Sequence, residues 1–228
     1  KSLVKNKPFL WVLTASLMTM LTSFIVMAVN TYLFKDYFGN AAALSIIGLV
    51  QMASMFITVP LVKPLVAKFG KKEISVVGMA FASVIYIGLF FLKGITTMPF
   101  IAIVAIAMMS MSFYSFITYA FISDVIDYHE YLTSLREDAT VYSIVSMSRK
   151  IGQAVAGGIG GVAIAAVGYN ATLGTQPQEV LDGIYMLGTL VPGILYGIVA
   201  VVLFLYPLNK QKTIQLSQDL AAKRKVNS

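Results

Sequence analysis

The sequence predicts an all-α membrane protein with several membrane-spanning helices, and three observations support this. Of the 228 residues, 58% are apolar and only 12% are charged, which is about half the charged fraction of a typical water-soluble domain. Six stretches are each long enough for a helix of about 20 mostly apolar residues to cross a bilayer. None of them shows the strict apolar and polar alternation of a membrane β-barrel strand.

The six predicted spans follow one another with short connections. They cover residues 9–34, 37–62, 74–92, 95–123, 139–167 and 183–206. Turn residues separate several of them, namely Gly39, Gly70, Gly94 and Gly168. Prolines within the spans mark candidate kinks at Pro60, Pro64 and Pro192. We therefore predict a six-helix transmembrane bundle over residues 1–207 and a basic cytoplasmic tail over residues 208–228.

The lysines and arginines outside the fifth span are distributed unevenly. Most of them precede the first span, follow the second or fourth span, or lie in the tail, whereas Lys35 and Lys93 lie on the other side. By the positive-inside rule, both termini are predicted to be cytoplasmic. The net charge of +7 reflects this bias, so no nucleic-acid partner is expected.

The composition also excludes several function classes. The apolar content excludes a disordered chain. Because there is no cysteine, disulfides, thiolate metal sites and cysteine nucleophiles are excluded. The predicted spans contain no acid and no histidine, so we expect neither catalytic residues nor a metal site nor a cofactor.

Two cations lie inside the fifth predicted span. If its helix begins near Ala139, Lys150 lies about 16 Å along it, near the bilayer midplane. A cation at that depth costs at least about 2.5–3.5 kcal/mol and normally faces a wet cavity or a bundle interior. A later helix start would instead place Arg149 and Lys150 at the cytoplasmic interface. The expected partner of Lys150 is a substrate hydroxyl, water, or a carboxylate from another part of the protein.

The residues around Lys150 predict a polar side and an apolar side for this helix. The polar stripe, with a spacing of three or four residues, consists of Ser143, Ser146, Lys150, Gln153 and Gly157. The opposite, packed side is predicted to carry Ile144, Met147, Ile151 and Val155. Small residues further along, among them Ala156, Gly158, Gly160 and Gly161, permit close helix packing.

One aromatic residue of the fourth span is a further candidate for the site. Tyr119 shares a helical face with Ser112 and Ser115. Its ring could stack on a pyranose ring, while aromatic core packing is the more common role. Both interpretations remain open from the sequence.

A mixed charge cluster separates the fourth and fifth spans. It contains Asp124, Asp127, Glu130, Arg136, Glu137 and Asp138. Because the other cytoplasmic connections are almost purely basic, we predict an ion-pair latch with basic groups elsewhere, a solvated loop being the alternative. His129 is expected to be an exposed histidine, with proton sensing as the alternative.

This cluster resembles the glycoside-pentoside-hexuronide cation symporters, the melibiose carrier family within the major facilitator superfamily. The family pattern is matched in identity and spacing by Asp124, Asp127-Tyr128, Glu130, Arg136, Asp138, Tyr142-Ser143 and Lys150. The segment Phe69-Gly70-Lys71-Lys72 is similar to the basic loop after the eighth helix of these carriers. The resemblance covers nearly the whole chain as the C-terminal six-helix half, helices seven to twelve of twelve.

The sequence departs from the family pattern at four positions. Ser134 and Ala139 replace frequent glycines, and Arg149 replaces an apolar residue. Ser115 lies near the position of a tryptophan associated with sugar binding in the melibiose member. A different sugar specificity is therefore expected.

The resemblance implies a secondary active transporter that moves a sugar or glycoside together with Na⁺ or H⁺ by alternating access. It implies that Lys150 lies by the sugar and coupling site with Ser146 as a polar neighbour, to which the polar stripe adds Ser143 and Gln153, and Tyr119 is a further candidate. It also implies a cytoplasmic gate at Asp124, Asp127 and Arg136, with Glu130 and Asp138 in the same cluster. The acidic ligands of the coupling cation are expected in an N-terminal half.

The expected partners are a sugar or glycoside, the lipid bilayer and an N-terminal six-helix half, in a bacterial inner membrane. Because the chain begins with Lys1 in a basic segment rather than with methionine, we expect more protein before it. One alternative is a non-transporting sugar sensor or inactive paralogue on the same scaffold. Another is a self-assembling six-span carrier or channel, in which two copies supply both halves.

Overall fold

Helices are the only regular structure in the part of the chain that the structure describes. The structure, a computed structural model, describes Leu3 and residues 6–226. Its helices are α1 (Lys7–Tyr32), continued by a π-helical segment (Leu33–Tyr37), α2 (Ala43–Phe69), α3 (Lys71–Phe91), α4 (Thr97–Thr133), α5 (Asp138–Ala166), α6 (Gln178–Gly188), α7 (Leu190–Phe204) and α8 (Lys210–Val226). The predicted all-α class is confirmed.

Five continuous helical stretches are long and apolar enough to cross a membrane. They are Lys7–Tyr37, Ala43–Phe69, Lys71–Phe91, Thr97–Thr133 and Gln178–Phe204. The predicted fifth span corresponds to α5, which has 29 residues but is less apolar because it contains Arg149, Lys150 and polar residues beside them. The chain is an integral, polytopic membrane protein, and a sixth crossing by α5 stays a prediction.

Helix α4 is longer than its predicted span, residues 95–123. It continues to Thr133 because the sequence after Ser123 offers neither glycine nor proline until the helix has ended. The end comes where Ser134 adopts a left-handed conformation with φ of 58°, which is uncommon for a residue other than glycine. The acidic cluster therefore begins on a helical extension of α4.

The start of α2 differs from its predicted span, residues 37–62. Residues 38–42 form a turn in which Gly39 has φ of 62°, and α2 begins at Ala43. Pro60 and Pro64 lie inside α2, which stays continuous to Phe69.

The last predicted span, residues 183–206, is interrupted. Helix α6 ends at Gly188 and α7 begins at Leu190, with Thr189 between them in a non-helical conformation. The break lies one turn before Pro192, which has no N–H to donate to the carbonyl of Gly188. The proline thus explains the position of the break.

Small residues allow close contacts between the helices. Helix α1 packs along α5, and α3 packs against both α4 and α7. A Cβ on Gly160 of α5 would lie 2.7 Å from the Cβ of Ala28 on α1, so this glycine lets the two backbones approach. The Ser83 hydroxyl of α3 donates a hydrogen bond to the carbonyl of Gly193 on α7 over 2.6 Å.

Helix α2 packs mainly against α4 and leaves many apolar side chains exposed. Phe56 is 76% exposed and Leu49 is 67% exposed. A contiguous apolar surface of this kind is unfavourable in water and indicates contact with lipid or with another part of a protein.

The predicted basic tail, residues 208–228, contains α8. Leu216 and Leu220 are buried, and α8 contacts α4. The Lys210 Nζ donates to the carbonyl of Ala67 at the end of α2 over 2.6 Å. The tail therefore docks on the end of the bundle that holds the α2–α3 and α4–α5 connections.

Candidate functional site

Helix α5 has three faces instead of the two that the sequence predicted. Its buried face consists of Val141, Val145, Ser148, Gly152, Ala156, Gly160 and Ile164, and α5 packs mainly against α1. The side predicted to be packed is mostly exposed, since Met147 is 64% exposed and Val155 is 46% exposed. That prediction was wrong because small side chains, and not the large aliphatic ones, allow close packing between these helices.

The predicted polar stripe of α5 lies on its other exposed side. Ser143, Ser146 and Lys150 are exposed, and Gln153 is half-buried. The Lys150 Nζ donates to Gln153 Oε1 over 3.2 Å, and Gln153 Nε2 lies 3.8 Å from Met20 Sδ on α1. None of the salt bridges among the described residues includes Lys150. The stripe is thus a polar, positively charged surface without a compensating carboxylate in these helices.

Tyr119 of α4 contacts α5 at Arg149, the residue before Lys150 in the sequence. It is 56% exposed, so the core-packing interpretation does not hold for its ring. The Arg149 Nη1 donates to the Tyr119 hydroxyl over 3.5 Å, a long hydrogen bond that connects α5 to α4. The structure brings Tyr119 to Arg149, and no hydrogen bond joins it directly to Lys150 among the described residues.

A central cavity of about 480 Å³ opens between α1, α2 and α4. Its polar lining includes Ser23, Asn30, Gln51, Ser112 and Ser115, and the rings of Tyr86 and Tyr196 also border it. A cavity of this volume is within the range of small-molecule sites. Sequence reasoning missed the two amides, although each is the only Asn or Gln in its helix, which was the available signal.

Arg136 is the centre of an ion-pair network between the end of α4 and the start of α5. Its Nη1 lies 2.9 Å from Glu130 Oε2 and 3.0 Å from Asp127 Oδ1, and it binds both carboxylate oxygens of Asp138 at 2.8 and 3.0 Å. Hydrogen bonds to Glu130 and Asp127 raise the pKa of the Arg136 guanidinium. Ser134 makes this convergence possible, because its left-handed conformation turns the chain back after α4.

Glu130 extends this network to the tail. It accepts two hydrogen bonds from Arg224 of α8, over 2.9 and 2.6 Å. The hydrogen bond to Glu130 raises the pKa of Arg224. The sequence analysis used Arg224 only to predict the orientation of the chain. Its partner Glu130 lies 94 residues away, so no local sequence pattern could have revealed the pair.

Asp124 is separate from the network, although the resemblance grouped it with Arg136. Its carboxylate is buried and its Oδ1 lies 2.6 Å from Lys71 Nζ at the start of α3. His129 is also buried, with its Nε2 2.8 Å from Glu137 Oε2, so the expected exposure of this histidine was wrong. Within the described residues, no group of three or more His, Asp or Glu could hold a metal ion.

Comparison with known proteins identifies the family. Residues 1–210 match the family described as MFS/sugar transport protein. The chain belongs to this family. The resemblance predicted from the acidic cluster and Lys150 is therefore confirmed at the level of the family.

Several curated relatives are similar to the chain over nearly its whole length. The uncharacterized symporter YjmB of Bacillus subtilis (strain 168) is 30% identical over 98% of the chain and 48% of the relative. The glucuronide carrier protein homolog of Escherichia coli (strain K12) is 29% identical over 99% of the chain and 50% of the relative. The isoprimeverose transporter of Lactiplantibacillus pentosus is 27% identical over 92% of the chain and 44% of the relative.

The chain spans about half the length of these curated relatives. It therefore matches one half of a transporter of this family. These three relatives are named as a symporter, a carrier and a transporter, and none of the three is named as an enzyme.

Proposed function

We propose that this chain is the C-terminal half of a secondary active transporter that moves a sugar or glycoside together with Na⁺ or H⁺. The names of these relatives support the substrate class and symport. The share of each relative that the chain covers supports the assignment to one half.

The uncompensated polar surface of α4 and α5 carries the proposal. Lys150 has Gln153 as its hydrogen-bond partner and takes part in none of the salt bridges of the described residues. A cation in a membrane bundle normally faces a water-filled cavity or the protein interior and marks a substrate or ion path. A second half that covers this surface would leave an enclosed polar space between the halves.

In this mechanism the sugar binds between two six-helix halves that rock to expose it to each side in turn. Lys150 donates hydrogen bonds to sugar hydroxyls, and Ser143, Ser146 and Gln153 supply neighbouring donors and acceptors. The exposed ring of Tyr119 offers a stacking surface for a pyranose. The acidic ligands of the coupling cation belong to the N-terminal half.

The ion-pair network around Arg136 acts as the cytoplasmic gate in this proposal. It joins the end of α4, the start of α5 and α8 through Glu130 and Asp138, so these elements move together. Asp124 and Lys71 join α4 to α3 on the same end. We place this end and both termini of the chain at the cytoplasmic side of a bacterial inner membrane, as the lysine and arginine distribution predicts.

Uptake into right-side-out membrane vesicles tests this function. The vesicles carry the full-length protein that contains these residues, and a set of radiolabelled phenyl glycosides is offered under an inward Na⁺ or H⁺ gradient. One coupled cation moving down 100 mV supplies about 2.3 kcal/mol, enough for roughly 50-fold accumulation. We expect accumulation that an ionophore for the coupling ion abolishes.

Two results would contradict the proposal. Binding of a glycoside without accumulation under any ion gradient would favour the sensor or inactive paralogue. Accumulation by the 228-residue chain alone, as a stable dimer, would favour the self-assembling carrier.

A further inference from the structure

Helix α8 connects the ends of α2 and α4 through a lysine near each of its own ends. At its start, the Lys210 Nζ donates to the carbonyls of Ala67 and Lys68 over 2.6 and 3.2 Å. Towards its other end, the Lys223 Nζ donates to the carbonyl of Tyr131 over 3.0 Å and lies 4.4 Å from the centre of the Tyr131 ring. The helix rises about 20 Å between the two lysines, so α8 crosses the end of the bundle from α2 to α4.

The carbonyls that these lysines bind are ones that a helix leaves free. Helix α2 ends at Phe69 and α4 ends at Thr133, so all three carbonyls belong to the last turn of their helix. The last four carbonyls of a helix have no partner within it, and they carry the negative end of the helix dipole. A single element, α8, therefore caps two helices of the bundle and holds their ends together while it is docked.

The residue that anchors α8 to the bundle is Tyr206, which precedes the helix. It is buried, its ring lies 5.0 Å from the ring of Phe121 on α4, and its carbonyl accepts a hydrogen bond from Lys72 Nζ over 2.7 Å. From residue 210 to residue 224, only Leu216 and Leu220 are buried. Helix α8 can thus leave the bundle by exposing two leucines and breaking exposed polar contacts, while Tyr206 stays in place.

Arg224 connects α8 to the ion-pair network around Arg136. The Arg136 Nη1 is shared, because it donates to both Asp127 and Glu130. Arg224 donates two hydrogen bonds to Glu130, over 2.9 and 2.6 Å. A bidentate pair between arginine and a carboxylate fixes the orientation of the carboxylate. Arg224 therefore holds Glu130 in the position from which it also binds Arg136.

We propose that α8 is a releasable strap, which holds the ends of α2 and α4 together and positions Glu130 in the proposed gate through Arg224. This inference rests on the proposed function, because it gives the tail a role in that gate. When α8 is docked, the network is ordered and transmits motion between α4 and α5. When α8 is released, Glu130 keeps only its share of Arg136, and the conformational cycle slows. Arg224 is then a positioning residue that acts on the gate through Glu130.

A distance measurement tests the docking of α8 without any transport. Spin labels are attached to Leu135→Cys, in the exposed connection between α4 and α5, and to Ala222→Cys, on the exposed side of α8. Both are introduced into the full-length protein, and electron paramagnetic resonance gives the distribution of distances between them. We expect one narrow distribution, which Arg224→Gln broadens towards longer distances and Arg224→Lys broadens less.

Uptake by the same full-length protein tests the positioning role. Arg224→Gln should lower the maximal uptake rate several-fold and leave the sugar dissociation constant unchanged, and Arg224→Lys should restore part of the rate. Because the side chain of Arg224 is 56% exposed, the fold should persist. Lys212→Gln, an exposed change on α8, is the matched control and should alter neither the rate nor the distances.

A double-mutant cycle shows whether Arg224 acts through Glu130. Glu130→Gln alone should also slow uptake. Adding Arg224→Gln to it should cause little further loss, because the two residues act as one pair. Independent losses that add in the double variant would mean that Arg224 acts elsewhere and would overturn the positioning role.

Two further results would overturn the inference. A distance distribution that stays narrow in Arg224→Gln would show that Arg224 does not hold α8 in place. A broadened distribution with an unchanged uptake rate would show that the docking of α8 does not affect the gate. Failure of the wild-type protein to accumulate any glycoside would instead overturn the proposed function, while the distance measurement would still decide whether α8 docks through Arg224.

Discussion

Lys150 and Asp124 belong to the same family pattern but have opposite surroundings. The carboxylate of Asp124 is buried and lies 2.6 Å from Lys71 Nζ, so its charge is compensated within these helices. Lys150 is exposed and hydrogen-bonds to the neutral amide of Gln153. Asp124 therefore has a charged partner within this chain, whereas the proposed partner of Lys150 is a ligand from outside these helices.

Replacing Lys150 with alanine should abolish glycoside accumulation by the full-length protein, because the donor to the sugar hydroxyls is lost. The amount of protein in the membrane should stay unchanged, because Lys150 contributes no salt bridge among the described residues. Uptake of radiolabelled glycoside and an immunoblot of isolated membranes measure the two effects. The control is Lys212→Ala on the exposed surface of α8, and normal accumulation by Lys150→Ala would refute the role.

Replacing Asp127 with asparagine should impair the conformational cycle more than sugar binding. Arg136 keeps Glu130 and Asp138 as partners, and an exposed ion pair contributes only about 0.2–1 kcal/mol to stability, so the fold should persist. We expect the maximal uptake rate to fall several-fold while the sugar dissociation constant stays nearly the same.

Asp182→Asn is the matched control for Asp127→Asn. Asp182 forms an exposed ion pair with Lys93 over 2.7 Å at the opposite end of the bundle. Its replacement with asparagine should leave the uptake rate unchanged. An unchanged uptake rate in Asp127→Asn would count against the gate.

Helix α5 shows which residues of a membrane helix pack against a neighbouring helix and which remain exposed. Its buried face is built from small residues such as Gly152, Ala156 and Gly160, which let α1 approach closely. The larger Met147 and Val155 remain exposed. Lipid solvates such aliphatic side chains, so there is little gain from burying them against a neighbouring helix.

Gly160→Ala should destabilise the protein, whereas Gly158→Ala on the same helix should not. A Cβ at residue 160 would lie 2.7 Å from the Cβ of Ala28, while a Cβ at residue 158 meets no atom within 4 Å. We expect Gly160→Ala to lower the free energy of unfolding by about 1–3 kcal/mol, because the contact is overpacked. Gly158→Ala should raise it by up to about 1 kcal/mol, because alanine has the higher helix propensity. Thermal unfolding in detergent measures both, and equal effects would contradict the assigned packing face.

The sequence predicted where the long helices lie, but not the break at Thr189, the continuation of α4 to Thr133 or all of the contacts between helices. Hydropathy predicted each long apolar helix, and the spacing around Lys150 predicted the exposed polar stripe of α5. The sequence pattern placed the packed face of α5 on the wrong side, because aliphatic side chains are buried to avoid water but are readily solvated by lipid. It could not predict the pair of Asp124 and Lys71, which are 53 residues apart and meet only after α3 and α4 have packed.

The helical bundle as a whole has two kinds of exposed surface. One is apolar, as on α2 and the Met147 side of α5. The other is polar and includes Tyr119, Ser146 and Lys150. A bundle surrounded only by lipid would not favour the second surface, and the proposed second half would resolve this conflict by enclosing it.

The proposed orientation predicts which parts of the chain an impermeant reagent reaches in intact cells. Because the chain has no cysteine, single cysteines can be introduced into a cysteine-free form of the full-length protein. We expect a charged maleimide to label Thr175→Cys between α5 and α6 in intact cells, and Ser217→Cys on α8 only after cell lysis. The reverse pattern would place the Arg136 network at the outer side.

If the polar stripe of α5 faces the sugar path, a bound sugar should protect a cysteine placed in the stripe. The measurement is the alkylation rate of Ser146→Cys in the full-length protein, with and without a saturating concentration of the glycoside that accumulates most. Val155→Cys on the apolar side of α5 is the matched control. We expect Ser146→Cys to react and the glycoside to slow this reaction, while Val155→Cys stays unreactive in the lipid. A rate at Ser146→Cys that the glycoside leaves unchanged, or reaction at Val155→Cys alone, would contradict it.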